Sequence, residues 1–335
     1  MVLFSATSVE FFKDIFSHSD VPGRFSRAII QHSTMTLHGD ANKTVFLQKM
    51  EAGSFEVYEH QVICEVVETE VLPTPQKPSL HMHISLDSNK VDAFVNGTDS
   101  VELKKEDVNL FYLEAVNVAI IPQGKHCFFH ISFKKDTLFR VLMQPSFKRL
   151  FNKIREKIEE VEKYKGGMIN ASHQVMLDAY FMMLVQDIRH CRFNGQATVL
   201  YREKKCTLML EHFLQQLLPQ KESKLDLTAQ DVIILDAVKE YIKRNINRSL
   251  TLKTLCQQFN ISIEFLVKGF HQLNGIPVTH FIRLYCMEIA ARLLADQDIP
   301  LNSILLLTGY NTFRSFATDF RNYFNCSPLQ FRYPE

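Results

Sequence analysis

The sequence predicts an α+β chain with an antiparallel β barrel or sandwich in its first half, helices trailing behind it, and an all-α C-terminal region holding two helix-turn-helix units. Three observations carry this expectation. Between about Thr34 and Leu142, β-rich or alternating segments are separated by turn residues. From Pro145 onward the apolar period changes to that of a helix. Near the C-terminus, residues 303–332 (SILLLTGYNTFRSFATDFRNYFNCSPLQFR) place Phe316, Phe320, Tyr323 and Phe324 on one helix face and Arg314, Thr318 and Arg321 on the other.

The strands are expected at 44–49, 55–71, 79–86 and 125–133, with breaks at Pro73-Thr74-Pro75, Asn96-Gly97 and Pro122-Gln123-Gly124. Residues 145–164 read as an amphipathic helix through Phe147, Leu150, Phe151, Ile154, Ile158 and Val161. Its opposite face mixes Lys, Arg and Glu, which is the pattern of a solvated surface and not of a nucleic-acid patch. Two further helical stretches cover 172–191 and 196–218. The polar, Pro-containing run PQKESKLDLT at 219–228 reads as a linker. The expected domains are therefore 1–218 and 229–335, joined by 219–228.

After a helix over 229–245, the first helix-turn-helix unit opens with Leu252, Leu255, Cys256 and Phe259 on a short helix. The turn Asn260-Ile261-Ser262 follows, with Ser262 as N-cap. A second helix over 262–273 turns Phe265, Leu266, Phe270 and Leu273 inward and Glu264, Val267, Lys268 and His271 outward, and ends at Asn274-Gly275. A connecting helix over 277–295 faces Phe281, Leu284, Met287 and Ala291 inward. The second unit repeats the design. Ile304 to Thr308 form a short apolar helix, Gly309 supplies the tight turn, and the second helix of this unit covers 312–324.

In these residues the chain resembles the AraC/XylS family of transcription regulators. The likeness spans about 250–332 and rests on Gly275-Ile276-Pro277, on Glu288-x-Ala290-x-Arg292-Leu293-Leu294, on Gly309-Tyr310, on Phe320-Arg321-Asn322-Tyr323-Phe324 and on Ser327-Pro328-x-x-Phe331-Arg332. More loosely, Asn109-Leu110-Phe111-Tyr112, Phe193-Asn194-Gly195 with Leu200-Tyr201, and Leu266-x-Lys268-Gly269-Phe270 are similar to the siderophore-sensing, pyochelin-receptor-regulator subgroup. The resemblance implies a cupin-like sensor domain ahead of the DNA module, a homodimer paired through a helix such as 196–218, a small-molecule effector, and activation by contact with RNA polymerase.

Carried onto this sequence, the family's base-reading positions are Glu264, Val267 and Lys268 in the first unit and Phe313, Arg314 and Thr318 in the second. Lys268 and Arg314 suit guanine O6 and N7, Glu264 suits cytosine N4, and Val267 or Phe313 a thymine methyl. Thr312, at the helix N-terminus, and Arg321 suit phosphate. Three positions depart from the family pattern: Cys286 and Thr318 stand where arginine is usual, and Leu305 where a small alanine is usual. The resemblance thus implies weaker phosphate binding at two positions.

Net charge is +1, and the region from Asp226 to the end holds 11 Lys and Arg against 10 Asp and Glu, so long-range steering toward a polyanion is not expected. Attraction has to be local, from Lys268, Arg283, Arg314, Arg321 and Arg332 gathered on one face. Seven scattered cysteines without a C-x-x-C pair suggest reduced core thiols and a cytoplasmic protein. No secretory leader or membrane-spanning run is read. Nucleotide-binding loops, hydrolase elbows and catalytic-cysteine signatures are absent, so no catalytic residue, cofactor or metal is assigned.

Two rival readings stay open on the residues alone. His81 and His83 alternate on a strand, and Pro122-x-Gly124-x-His126 with His130 and Asp87 loosely resembles a cupin metal site, which would make the first half a metal-dependent enzyme. Alternatively, the near-neutral charge fits an interaction protein whose DNA module has degenerated.

Overall fold

The computed structural model describes residues 11–15, 21–22, 25, 29–39, 42–71, 78–87, 91–95, 99–105, 107–114, 118–219, 225–248 and 250–333. The expected breaks at 73–75 and 96–97, and part of the linker, lie outside them. The described residues fall into two compact units. Residues up to 177, with 186–190 and 205–219, form the first; 178–185, 191–204 and the residues from 225 onward form the second.

The first unit is built on β1 (Phe11–Ile15), β2 (Thr34–Gly39), β3 (Lys43–Ala52), β4 (Phe55–Val71), β5 (Ser79–Asp87), β6 (Val91–Val95), β7 (Asp99–Leu103), β8 (Val108–Leu113), β9 (Val118–Phe133) and β10 (Gly166–Met168). Their antiparallel order is β1-β2-β3-β4-β9-β5-β8-β10, with β6 pairing β9 and β7. Among the described residues the two ends of this path do not pair, so of the two expected forms the sheet takes the sandwich-like one and not the closed barrel.

The long strand β9 corrects the expected break at Pro122-Gln123-Gly124. It runs through that tripeptide, because the β4 partner shifts register between Cys64 and Glu68 and so absorbs the irregularity. Proline cannot donate to a ladder, and a bulge is where a sheet tolerates it. Pairing sets the faces: Tyr58, His130, His83 and Asn109 lie in one cross-strand row, while Val57, Glu59 and Ile131 belong to the other face. Buried residues Val45, Val62, Cys64, Phe111 and Phe128 cluster on the first of these faces.

Helices α1 (Lys135–Leu142), α2 (Lys148–Lys163), α3 (Ala179–Arg189) and α4 (Gly195–Leu217) follow. Helix α1 is a correction, since the β reading extended to Leu142; Leu138, Val141 and Leu142 are buried at helical spacing. Helix α3 begins later than expected, because Asp178 Oδ1 accepts the N–H groups of Tyr180 and Phe181, both at 3.0 Å, and starts the helix there. In the first unit Arg189 donates to the buried carboxylate of Glu59 at 2.6 Å, and Lys205 pairs with Asp187 at 2.9 Å. Charges this deeply buried persist only when paired.

The second unit holds α5 (Ala229–Arg244), α6 (Leu252–Phe259), α7 (Ile263–Asn274), α8 (Val278–Ala295), α9 (Leu301–Leu307), α10 (Phe313–Phe324) and α11 (Pro328–Arg332). Thr228 and Asp231 form a capping box on α5, and Thr251 and Thr254 one on α6. Helix α8 buries far more of its circumference than the expected stripe: Val278, Cys286, Glu288, Ala290 and Leu294 are buried in addition to Phe281, Leu284, Met287 and Ala291. Leu305, where the family pattern favours a small residue, is accommodated in the interior.

The turn at Gly309 has φ +74°, and a Cβ there would lie 2.9 Å from the Ile246 carbonyl oxygen. We expect Gly309→Ala to lower stability by about 1–2 kcal/mol through left-handed strain and this contact. Thermal unfolding of the full chain checks it, and an unchanged midpoint would contradict it.

Candidate nucleic-acid interface

The second helix of the first helix-turn-helix unit, α7, is prepared by its flanks. Asn260 ends α6 in the left-handed region at φ +52°, and the Ser262 side chain accepts the Phe265 N–H at 3.1 Å. Gly269 lets α7 approach α5 closely, since a Cβ there would sit 3.0 Å from Leu235 Cδ1. Leu266 and Phe270 are buried by this packing, with Phe265 half-buried. That orientation leaves Glu264 exposed and Val267 and Lys268 half-exposed. Lys268 Nζ stands 2.8 Å from the Glu264 carboxylate, one turn earlier, and this hydrogen bond holds the Glu264 carboxyl below its ordinary range. Glu264 and Lys268 therefore partner each other on the outward face of α7.

In α10, the second helix of the second unit, Thr312 is the N-cap and accepts the Ser315 N–H at 3.3 Å. Phe316, Phe320, Tyr323 and Phe324 are buried, as the periodicity predicts. Their rings form a near-continuous series: Phe316 to Phe320 at 5.7 Å, Phe320 to Phe324 at 4.6 Å, and Phe324 to Phe331 at 5.0 Å. Arg314, Thr318 and Arg321 lie on the opposite side, which faces outward. Phe313 sits at the boundary, 40% exposed with its ring 6.2 Å from Phe316, so it both extends the core and presents an apolar edge. The Thr318 hydroxyl donates to the Arg314 carbonyl at 2.8 Å, leaving its methyl group as the part not already engaged in a hydrogen bond.

Two of the expected cations are committed elsewhere. Arg332 is buried and donates to the carbonyls of Leu294 at 3.3 Å and Ile299 at 2.8 Å, closing the end of α8 and the turn after it; it does not join an outward basic face. Arg283 remains exposed but is paired with Asp319 at 2.9 Å, and Asp319 also accepts the Tyr310 hydroxyl at 2.7 Å. Burial and this carboxylate push the Tyr310 phenol upward. The Arg283–Asp319–Tyr310 set ties α8, the turn and α10 together. Sequence reasoning missed it because the three residues obey no local spacing rule.

Cys286 also differs from expectation. Its thiol is buried, bonded to the Thr308 carbonyl at 3.1 Å and pushed up to about 12 chiefly by burial. The position faces the interior, so a thiol here takes no cation away from the exposed surface. All seven cysteines are free thiols.

Two successive helix-turn-helix units, each presenting an N-capped helix with a packed back and a polar front, define a tandem helix-turn-helix protein. Residues 255–333 match the family model described as "Helix-turn-helix domain". Over 217 residues the chain is 22% identical to "HTH-type transcriptional activator RhaR" of Mannheimia succiniciproducens, covering 64% of this chain and 75% of that protein. It is 26% identical over 98 residues to "Msm operon regulatory protein" of Streptococcus mutans, which is 29% of this chain and 35% of that one. Among solved structures, the C-terminal domain of AraT from Geobacillus stearothermophilus matches 33% of this chain and 89% of its own length at 28% identity, TM-score 0.30. An apo ToxT variant from Vibrio cholerae matches 84% of this chain and 98% of its own length at 12% identity, TM-score 0.34. Residues 255–333 thus carry a helix-turn-helix domain of the kind that model describes.

The histidines of the β-rich unit form a different kind of cluster. His83 Nδ1 and His130 Nδ1 are 3.4 Å apart, and His60 packs on His130 at 4.8 Å between ring centres. His81 is bonded to Ser79 and His126 to the Pro122 carbonyl. The Asp87 side chain lies outside the described residues. Among those described, no three His, Cys, Asp or Glu side chains are arranged to hold a metal ion. Burial depresses His81 and His83 to about 4. An unfolded chain would protonate them near pH 6.5, so the unfolded state binds more protons between those values and stability falls as pH drops through that window. For His83 alone the full loss by pH 4 is about 3 kcal/mol. Denaturant unfolding of the β-rich unit at pH 7 and pH 5 should show the acid sample less stable, with His83→Gln reducing the difference; equal stability at both would contradict the buried neutral state.

Proposed function

We propose that this chain is a sequence-specific DNA-binding transcription regulator, an activator, that reads two adjacent major-groove segments with α7 and α10. The observation that carries this reading is the paired arrangement itself: in each helix apolar side chains hold the back while Glu264, Val267 and Lys268, or Phe313, Arg314 and Thr318, occupy the front. Helix α8, with 18 residues, spans about 27 Å, which is of the order of one turn of B-form DNA at ~34 Å, so modest bending of the duplex would bring both reading helices into register.

In this reading Arg314 and Lys268 donate to guanine, with Lys268 first exchanging its Glu264 partner for the base edge. Glu264, so released, accepts from cytosine. Val267, Phe313 and the Thr318 methyl meet apolar edges, while Thr312 and Arg321 hold phosphate. Residues 1–218 act as the sensing and pairing part, 229–335 as the reading part, and 219–228 as the link between them. The partners are double-stranded DNA, RNA polymerase, a second copy of this chain and a small-molecule effector, and the setting is the cytoplasm. No described helix is long and apolar enough to cross a membrane. The chain is not assigned an enzymatic activity.

A duplex recovered by selection of bound genomic fragments gives the test. Affinity should fall steeply with salt, and Arg321→Ala should reduce the slope of log K against log salt by about 1. Arg314→Ala should cost about 1–3 kcal/mol and relax preference at one base pair, whereas a uniform loss across all sequences would contradict base reading by Arg314.

A further inference from the structure

The motif Phe193-Asn194-Gly195 with Leu200-Tyr201 lies outside both helix-turn-helix units, yet its residues belong to the same compact unit as α8, α10 and α11. The Tyr201 hydroxyl donates to Glu288 Oε2 at 2.7 Å, and the Tyr323 hydroxyl approaches Glu288 Oε1 at 3.5 Å. Glu288 lies in the middle of α8 and is buried, as is Tyr201. Around this carboxylate, Phe193 packs on Tyr201 at 4.8 Å and on Phe331 at 5.5 Å, and Tyr201 stacks on Phe324 at 6.4 Å. Lys204 Nζ lies 4.8 Å from the centre of the Tyr323 ring.

A buried carboxylate is stable only while donors surround it. Glu288 therefore favours the arrangement in which both tyrosine hydroxyls reach it together. Tyr323 is on α10, nine residues after Arg314, and nine residues at the helical period amount to roughly 180°, so the two side chains leave the helix on opposite sides. Any roll of α10 that pulls Tyr323 from Glu288 swings Arg314 by the same angle at the front.

We propose that Tyr201 and Glu288 are positioning residues for the second reading helix: from behind, they fix the rotation of α10 and so the direction in which Arg314 meets a base. This rests on the reading of α10 as a DNA-recognition helix, and it adds residues from well ahead of the reading part to the determinants of its specificity. The brace acts on α10 and not on α7, so its effect is confined to one half of the operator.

The test uses the full chain with Tyr201→Phe, which keeps the ring and removes only the hydroxyl, alongside Glu288→Gln, which keeps an acceptor for Tyr201. Binding is measured to the selected duplex and to two versions scrambled in the segment facing α7 or the segment facing α10. For Tyr201→Phe we expect discrimination against the α10-segment scramble to fall about tenfold while discrimination against the α7-segment scramble stays at the wild-type level, and Glu288→Gln to retain most of both. Equal loss in both segments, or no loss in either, would overturn the proposal. Amide hydrogen exchange over 313–324 in the DNA-free protein separates this from the functional reading. Faster exchange in Tyr201→Phe is expected, and unchanged exchange overturns the brace. A wild-type chain that binds no duplex would instead sink the DNA reading, leaving the exchange result to judge the brace.

Discussion

The packing of α10 through its aromatic face is the constraint on which the rest of the second unit depends. Phe316, Phe320 and Phe324 are buried against one another and against Phe331, and each such side chain contributes about 2–3 kcal/mol by leaving water. That burial decides which way the helix is turned, and with it which residues are left outside. Arg314, Thr318 and Arg321 owe their outward placement to the phenylalanines behind them. The same logic runs through α7, with Leu266 and Phe270 as the anchor and Gly269 leaving out a Cβ that would crowd Leu235. Fixed orientation is what a reading helix needs, because hydrogen bonds to base edges are directional and a small rotation loses them.

Charge plays a local part. With Lys and Arg nearly balanced by Asp and Glu, the reading region has no field to draw a polyanion from a distance. Its cations are instead sorted by structure. Arg332 is engaged by two carbonyls of the interior, Arg283 is shared with Asp319, and Lys268 is held by Glu264. Arg314 and Arg321 remain on the exposed side of α10. The exposed Lys268–Glu264 pair is weak, as surface ion pairs are.

How much of this was legible in the sequence follows from the range of the interactions. Helices α5, α7, α8 and α10 were readable within a residue or two, because capping residues and the apolar period are local signals: Ser262 caps as expected, and Thr228 and Thr312, residues of the same capping type, cap α5 and α10. The fronts of both reading helices followed from the same period. What depended on distant partners was not readable. The register shift opposite Gly124 that carries β9 through Pro122 is set by β4, and the burial of Cys286 and Arg332 is set by Thr308, Leu294 and Ile299. Helix α1 was lost for another reason: Lys135–Leu142 is short and follows a strand directly, so two turns of helical spacing were absorbed into the β pattern.

The central claim is that two helices, α7 and α10, present their polar fronts to one duplex about one helical turn apart. Methylation interference at guanine N7 on the selected operator, which maps major-groove contact base by base, tests it most directly. The account predicts two patches of interference on the same side of the helix, about 10 base pairs apart, with the α10 patch weakened by Arg314→Ala and the α7 patch by Lys268→Ala. A single patch, or two that fall on opposite sides of the duplex, would contradict it.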